Sequence, residues 1–116
     1  QEIFFFDQED APLPREKVRI EQTRVEQYPD GRRVRVTVEL TPFFEKPNLS
    51  LTISNSRGET VAEAEMLELI TPKAELTMHL RHRRTQGDYN LRAELYYDDD
   101  EPQDVRDLCF ASESEG

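Results

Sequence analysis

Sulfur and imidazole side chains are scarce in this sequence. Among 116 residues there are one cysteine, Cys109, two histidines, His79 and His82, and no tryptophan. A single cysteine excludes an intramolecular disulfide. It also favours a reducing compartment such as the cytoplasm, because small secreted sandwich domains often carry a bridge. Histidines at an odd spacing on a strand lie on opposite faces, which excludes a shared metal ion unless the strand bends.

The sequence also lacks the motifs of common enzymes and of membrane proteins. The serines of residues 50–56 form no Gly-x-Ser-x-Gly turn, and the four glycines form no phosphate-binding loop. No histidine lies near Cys109 in the predicted strands, so we expect a small buried apolar group and not a nucleophile. No apolar run approaches the length of a membrane span. We therefore predict no enzyme activity, cofactor, small-molecule ligand or membrane contact.

Basic residues are in the minority. Lys and Arg total 15 against 25 Asp and Glu, which gives a formal net charge of -10. This balance argues against a nucleic-acid partner. Hydrophobic residues make up 35% of the chain and follow a regular pattern, so we expect one folded domain.

The densest acidic segment is residues 98–101, followed by Pro102. Together with Asp104 it supplies hard oxygen ligands on a loop, which is the chemistry that calcium prefers. The spacing of a calcium-binding EF-hand is absent, however. We favour a solvated turn over a calcium site, and its like charges also discourage edge-to-edge pairing of sheets.

Period-two alternation dominates the chain and predicts an antiparallel β-sandwich of seven strands without a helix. The predicted strands are residues 18–28, 33–41, 49–54, 60–66, 76–81, 87–97 and 104–111. Three details stay open. A bulge or break is expected near residues 22–24, a helical turn over residues 62–69 competes with the fourth strand, and the last strand has two possible facings. In one facing Val105 and Cys109 point inward; in the other a bulge turns Leu108 and Phe110 inward.

The domain boundaries follow from prolines and composition. Residues 1–16 read as an extended arm, residues 17–112 as the sandwich, and residues 113–116 as a polar tail. The arm carries Phe4, Phe5 and Phe6, which either plug an open end or edge of this domain or dock on a partner chain. In the loop before the third strand, Phe43 and Phe44 are expected to cap the core.

The segment Gly87-Asp88-Tyr89-Asn90-Leu91 resembles the start of the sixth strand in immunoglobulin-like and fibronectin type III-like domains. The resemblance implies a tyrosine corner at Tyr89 and an immunoglobulin-like all-β sandwich. One sheet would hold strands one, two and five, and the other strands three, four, six and seven. Leu91 stands where antibody domains carry a cysteine, and the core tryptophan is missing, so the resemblance is to a disulfide-free, bacterial type of sandwich. Such sandwiches host many functions, and none is implied here.

Two candidate surfaces follow from this arrangement. A basic face on strands two and five would include Arg33, Arg35, His79 and Arg81; it either meets an acidic partner or, as we favour, pairs across strands with glutamates. The glutamates in question are Glu21, Glu26, Glu39 and Glu75. An apolar patch on the other sheet would combine outward-facing Tyr96 with Leu108 and Phe110, if the last strand faces that way.

The sequence thus predicts a non-enzymatic protein-interaction or assembly module. Its partner would be another protein or a second copy of itself in a homodimer. The interface candidates are Phe4, Phe5, Phe6, Tyr96, Leu108 and Phe110. The alternative is a structural spacer domain from a larger secreted or surface protein.

Overall fold

Two antiparallel sheets form the protein, and a computed structural model describes residues 11–81, 87–98 and 101–112. The strands within these ranges are β1 (Ile20–Gln27), β2 (Arg33–Leu40), β3 (Asn48–Asn55), β4 (Thr60–Met66), β5 (Lys73–His79), β6 (Gly87–Tyr96) and β7 (Asp104–Ser112). One sheet has the order β1-β2-β5 and the other β4-β3-β6-β7. This confirms the all-β sandwich and the division of strands that the resemblance implied.

The core lies between β3 and β6 on one side and β2 on the other. In β6 the alternation places Leu91, Ala93 and Leu95 at 0% exposure. Directly opposite on β3 lie Ile53, Leu51 and Leu49 respectively. A fully buried leucine or isoleucine contributes about 1.5–3 kcal/mol relative to an exposed one. These cross-strand pairs therefore contribute a large share of the apolar burial in the described core.

The facing sheet contributes its central strand. In β2 the residues at even positions are buried and make the inner face predicted for this strand: Val34, Val36, Val38 and Leu40. β-branched side chains suit this position because they pack well on a pleated surface.

Two irregularities of register decide which residues face the core. In β1 the pairing shifts between Ile20 and Gln22, at the start of the segment where a break was expected. In β4 the pairing shifts opposite Ile53 and Ser54, and both Val61 and Ala62 become buried. Alternation over residues 60–66 would put Val61 and Ala62 on opposite faces, and the register shift is what buries both. β4 continues to Met66, so the predicted fourth strand forms and the competing helical turn over residues 62–69 does not.

The last strand turns Leu108 and Phe110 toward the core. Its register with β6 is continuous, so no bulge is required, and Leu108 lies opposite Leu91 while Phe110 lies opposite Tyr89. The Phe110 ring stacks on that of Tyr89 with centroids 5.5 Å apart. Cys109 therefore points outward and is exposed, contrary to the expectation of a buried thiol.

Hydrogen bonds across the gap between the sheets tie their edges together. The Ile20 amide donates to Oδ2 of Asp104 at 2.9 Å, and Nε2 of Gln103 donates to the Val18 carbonyl at 2.9 Å. These bonds join β1 to the start of β7. On the opposite side, the Arg81 amide donates to the Val61 carbonyl at 2.7 Å. These bonds join the edge strands of one sheet to those of the other.

Candidate interaction surfaces

The predicted basic face forms in part. Arg33 lies directly opposite His79 on the β2–β5 ladder, and Arg35 lies opposite Thr77, so these basic residues share the outer face of the three-stranded sheet. Arg81 follows the end of β5, where its amide bonds to β4 of the other sheet. The structure therefore brings Arg33, Arg35 and His79 together. His82, which follows Arg81, is outside the described residues.

Acidic residues lie among the arginines of this face. Nε of Arg33 contacts Oδ2 of Asp30 at 2.8 Å, and Nη2 of Arg24 contacts Oε2 of Glu39 at 3.1 Å. Glu26 is the cross-strand neighbour of Arg35. The face is therefore mixed in charge, as ordinary cross-strand pairing produces, and such exposed pairs contribute little free energy each.

Tyr28 contacts several residues of this face, and the sequence analysis did not identify it. The Arg33 guanidinium lies 4.4 Å from the centroid of its ring and that of Arg35 5.9 Å. Its hydroxyl lies 3.0 Å from the Thr77 hydroxyl and accepts a bond from Nη2 of Arg35 at 3.5 Å. The bonds with Thr77 and then Arg35 lower the pKa of Tyr28. An aromatic residue just before a Pro-Asp-Gly turn, with arginines on the returning strand, was the available signal.

The apolar patch predicted on the four-stranded sheet does not form as described. Tyr96 does face outward, where its hydroxyl donates to Oε2 of Glu65. Leu108 and Phe110 face the opposite way and pack against the core. Successive residues of a strand point to opposite faces, so Tyr96 points outward because its neighbour Leu95 points inward. Leu108 and Phe110 lie opposite inward-facing residues of β6 and therefore point inward as well.

Polar side chains fill the outer face of the four-stranded sheet instead. Hydroxyls of β3 run along its middle, and glutamates of β4 flank them. Toward the β7 edge, Asp107 accepts from Nε of Arg92 at 3.0 Å and from Nδ2 of Asn90 at 3.1 Å. The bond from Arg92 and then that from Asn90 lower the pKa of Asp107. The face is therefore hydrophilic, and Asp107 and Arg92 form an ion pair on it.

The structure describes only part of the acidic cluster that was considered for calcium. Asp98 and Glu101 are exposed, and Asp99 and Asp100 lie outside the described residues. The carboxylate of Asp104 is used in the structure, since it accepts from the Ile20 and Val105 amides. In the part of the chain that the structure describes, no three His, Cys, Asp or Glu side chains are grouped to hold a metal ion.

Exposed apolar side chains concentrate at one end of the sandwich, which we call the loop end. Its described residues are 41–47, 67–72, 97–98 and 101–103, which lie in the connections after β2, β4 and β6. Phe44, Leu67 and Ile70, the apolar triad, are 72%, 67% and 76% exposed. Phe43 packs against the core as expected, but Phe44 points to solvent, so the predicted capping role holds for Phe43 alone.

Tyr89 and Tyr97 are both buried beside these surfaces. Burial raises the pKa of each. The Tyr97 hydroxyl donates to the Glu45 carbonyl at 3.2 Å, and the Arg15 guanidinium lies 4.7 Å from its ring centroid. This anchors the loop after β2 to the end of β6. The tyrosine corner at Tyr89 stays a prediction. Phe4, Phe5 and Phe6 lie outside the described residues.

Comparisons with known proteins return fold relatives only. No family model and no curated protein matches the chain. Among solved structures, a glycosyl hydrolase family 2 member from Bacteroides cellulosilyticus DSM 14838 matches with a TM-score of 0.59 and 19% identity, over 82% of this chain and 15% of that one. The Bifidobacterium dentium β-glucuronidase complexed with coumarin-3-O-glucuronide matches with a TM-score of 0.61 and 15% identity, over 82% of this chain and 18% of that one. A putative β-galactosidase from Bacteroides fragilis matches with a TM-score of 0.57 and 15% identity, over 79% of this chain and 17% of that one.

These matches describe the fold of this chain and the share of each larger protein that it corresponds to. At such identities they show a shared β-sandwich fold, consistent with the immunoglobulin-like resemblance, and nothing of activity. The chain spans less than a fifth of the length of each of these proteins. No helix in the described ranges is long and apolar enough to cross a membrane.

Proposed function

We propose that this chain is a non-enzymatic interaction module that works as one domain of a larger protein. The observation that carries the proposal is the extent of the structural matches. The sandwich aligns over 82% of this chain with only 15% of a family 2 glycosyl hydrolase. A fold used as a minor part of large enzymes is suited to contacts between domains, and domains of this size are commonly combined in one chain.

The chemistry of the described surfaces supports a non-catalytic role. His79 lies on the outer face of the three-stranded sheet, whereas Cys109 lies on the outer face of the four-stranded one. The Cys109 thiol donates to Oδ1 of Asn90 at 3.6 Å, and an amide cannot act as a general base. A nucleophile and a base on opposite sides of a sandwich cannot form a catalytic pair.

The apolar triad favours interaction over a spacer role. A spacer needs only a stable fold and a hydrophilic surface, and both broad faces of this sandwich provide that. Three large apolar side chains left exposed at one end serve no purpose in a spacer and are typical of contact surfaces. The spacer is therefore the second candidate.

An immunoblot of source cells with an antibody raised against this chain tests whether the chain works within a larger protein. We expect a band well above the mass of a 116-residue polypeptide. A matched blot from cells in which the coding region is deleted identifies the band. A single band at the mass of 116 residues would contradict the proposal that the chain is part of a larger protein.

The non-enzymatic part of the proposal has its own test. The purified chain is incubated with nitrophenyl β-glucuronide and β-galactoside, the sugar classes named for the matched enzymes. We expect no release of nitrophenol above buffer. Hydrolysis that co-purifies with the chain would contradict this part of the proposal.

A further inference from the structure

The outer face of the four-stranded sheet carries a shallow groove along β3 and β4. Its polar lining consists of Ser50 and Thr52 of β3 and Glu63 and Glu65 of β4. These residues form two rungs, because Ser50 lies directly opposite Glu65 and Thr52 lies opposite Glu63. The rungs are two residues apart along the strands, roughly 7 Å, so a single six-membered ring with its substituents can contact both.

The fold leaves most of these lining groups unused. Among the residues that the structure describes, the hydroxyls of Ser50 and Thr52 and the carboxylate of Glu63 have no hydrogen-bond or ion-pair partner. The two hydroxyl residues are half-buried, and the ladders to β4 and β6 hold their backbone on both sides. Their polar groups are therefore presented to solvent in a defined arrangement, which lowers the entropic cost of binding.

An aromatic ring lies beside the groove. Tyr96 belongs to β6, and its hydroxyl donates to Oε2 of Glu65 on β4, although β3 lies between these two strands. Neighbouring strands are about 5 Å apart, so the Tyr96 side chain has to lean over β3 to make this contact. The residue is half-buried, which leaves part of the ring exposed next to the rung of Ser50 and Glu65.

The charge on the strands around the groove selects the class of ligand. Glu63, Glu65 and half-buried Glu94 of β6 place three carboxylates on this face, whereas Arg92 is held in an ion pair with Asp107 at 3.0 Å. Such a face repels anionic ligands. In the described ranges no three His, Cys, Asp or Glu side chains are grouped to hold a metal ion, so the carboxylates do not form a cation site. An uncharged ligand rich in hydroxyl groups fits this chemistry.

We infer that the groove and the Tyr96 ring bind a neutral glycan. Carboxylates accept hydrogen bonds from sugar hydroxyls, and such charge-assisted bonds are stronger than neutral ones. The Ser50 and Thr52 hydroxyls both donate and accept, as the hydroxyls of a sugar require. The C–H face of a pyranose ring is apolar and covers an aromatic ring face. The inference goes beyond the proposed interaction role and beyond the sequence prediction of a protein partner, because it adds a saccharide chain as ligand.

Nuclear magnetic resonance titration of the intact, nitrogen-15-labelled chain tests the inference. The probes are neutral hexasaccharides of glucose, mannose, galactose and xylose, with a galacturonate hexasaccharide as the anionic counterpart. We expect at least one neutral probe to bind with a Kd on the order of millimolar, because the groove is shallow and open to water. Its addition should shift the amide signals of residues 50–52 and 63–65, and the galacturonate probe should not.

Matched variants assign the binding to the groove. Tyr96→Ala should weaken the neutral probe at least fivefold, since truncating an aromatic anchor costs more than about 1 kcal/mol. Thr52→Val keeps the shape of the side chain, removes its hydroxyl and should weaken binding severalfold. Tyr28→Ala removes a half-buried tyrosine from the outer face of the other sheet and should leave the affinity unchanged. The amide spectrum shows whether each variant is folded, and Thr52→Val alone decides the test if Tyr96→Ala does not fold.

Three outcomes would overturn the inference. One is the absence of amide shifts with all four neutral hexasaccharides, and another is equal affinity of the native chain and the Thr52→Val variant for the neutral probe. The third is a lysine-rich peptide that shifts the amides of the groove where the hexasaccharides do not, which would assign this face to a basic protein. None of these outcomes changes the band expected in the immunoblot or the result with the nitrophenyl glycosides, so the proposed function is tested separately.

Discussion

The fully buried apolar residues of β3 and β6 are the individual residues that we expect to contribute most to stability. Leu91 has 0% exposure and lies between Ile53 of β3 and Leu108 of β7 on adjacent ladders. The alternation of β6 was sufficient to predict this from the sequence, because every second residue from Tyr89 to Tyr97 is apolar and both neighbouring strands supply apolar partners.

The first prediction tests that expectation. Leu91→Ala should lower the free energy of unfolding by about 2–5 kcal/mol, since a rigid core leaves a cavity in place of the side chain. Urea denaturation followed by circular dichroism measures the change. Leu67→Ala removes the same atoms from a side chain that is 67% exposed and should stay within about 0.5 kcal/mol. Similar losses for the two variants would contradict the burial of Leu91.

The second prediction concerns the ion pair of Asp107 with Arg92. The bond from Arg92 and that from Asn90 hold the pKa of Asp107 below its ordinary value, so the folded state binds this proton less readily than the unfolded chain. Its contribution is therefore present above the unfolded pKa of about 3.9 and is lost as pH falls through the folded value. Both side chains are about half exposed, so Asp107→Asn should cost less than about 1 kcal/mol at neutral pH.

Urea denaturation across pH detects this pattern. The difference between the native chain and Asp107→Asn should shrink as the pH is lowered from neutrality through the titration of this carboxyl. Glu63→Gln, on the same outer face, provides the comparison. A difference that grows on acidification would refute the assigned direction of the pKa.

At the scale of strands, the sequence was decisive for β2, β3 and β6 and ambiguous for β7. In β7 the apolar residues Val105, Leu108, Cys109 and Phe110 occupy both parities, so periodicity cannot choose a face. The choice is made by register with β6, which places Leu108 and Phe110 opposite buried residues. The bulge in β4 escaped prediction for a related reason, since Val61 and Ala62 are adjacent in sequence and no alternating pattern buries both.

The third prediction tests the facing of β7. Phe110→Ala should destabilise by roughly 2 kcal/mol, because the half-buried ring loses its stacking on Tyr89 and part of its apolar contact. Cys109→Ala should stay within about 0.5 kcal/mol, as for an exposed site.

A chemical measurement tests the same facing independently. The Cys109 thiol should react with an aromatic disulfide reagent in the folded protein at a rate close to that in denaturant, because it is exposed. Protection by orders of magnitude in the folded state would contradict the outward facing of Cys109.

For the whole molecule, the immunoglobulin-like resemblance implied the division of strands between the sheets, but nothing in the sequence indicated how the sheets are joined or which side chains the loop end exposes. Leu67 and Ile70 lie between strands without periodicity, so no sequence pattern indicated that these large apolar residues remain exposed. Asp104 was considered only as a member of an acidic cluster. The structure gives it a different task, as the acceptor that links the first residue of β1 to the first residue of β7.

The fourth prediction follows from that task. Asp104→Ala should lower the free energy of unfolding by about 1–3 kcal/mol, because the Ile20 amide loses its acceptor at a part-buried position. Asp104→Asn retains a carbonyl oxygen at the same place and should recover much of the loss. Glu101→Ala, an exposed residue of the preceding turn, should have no measurable effect.

Urea denaturation compares the variants, and hydrogen exchange of the Ile20 amide should accelerate in Asp104→Ala more than in Glu101→Ala. If calcium binding were the main role of Asp104, all of these differences would depend on added calcium; we expect them to be the same in calcium and in chelator.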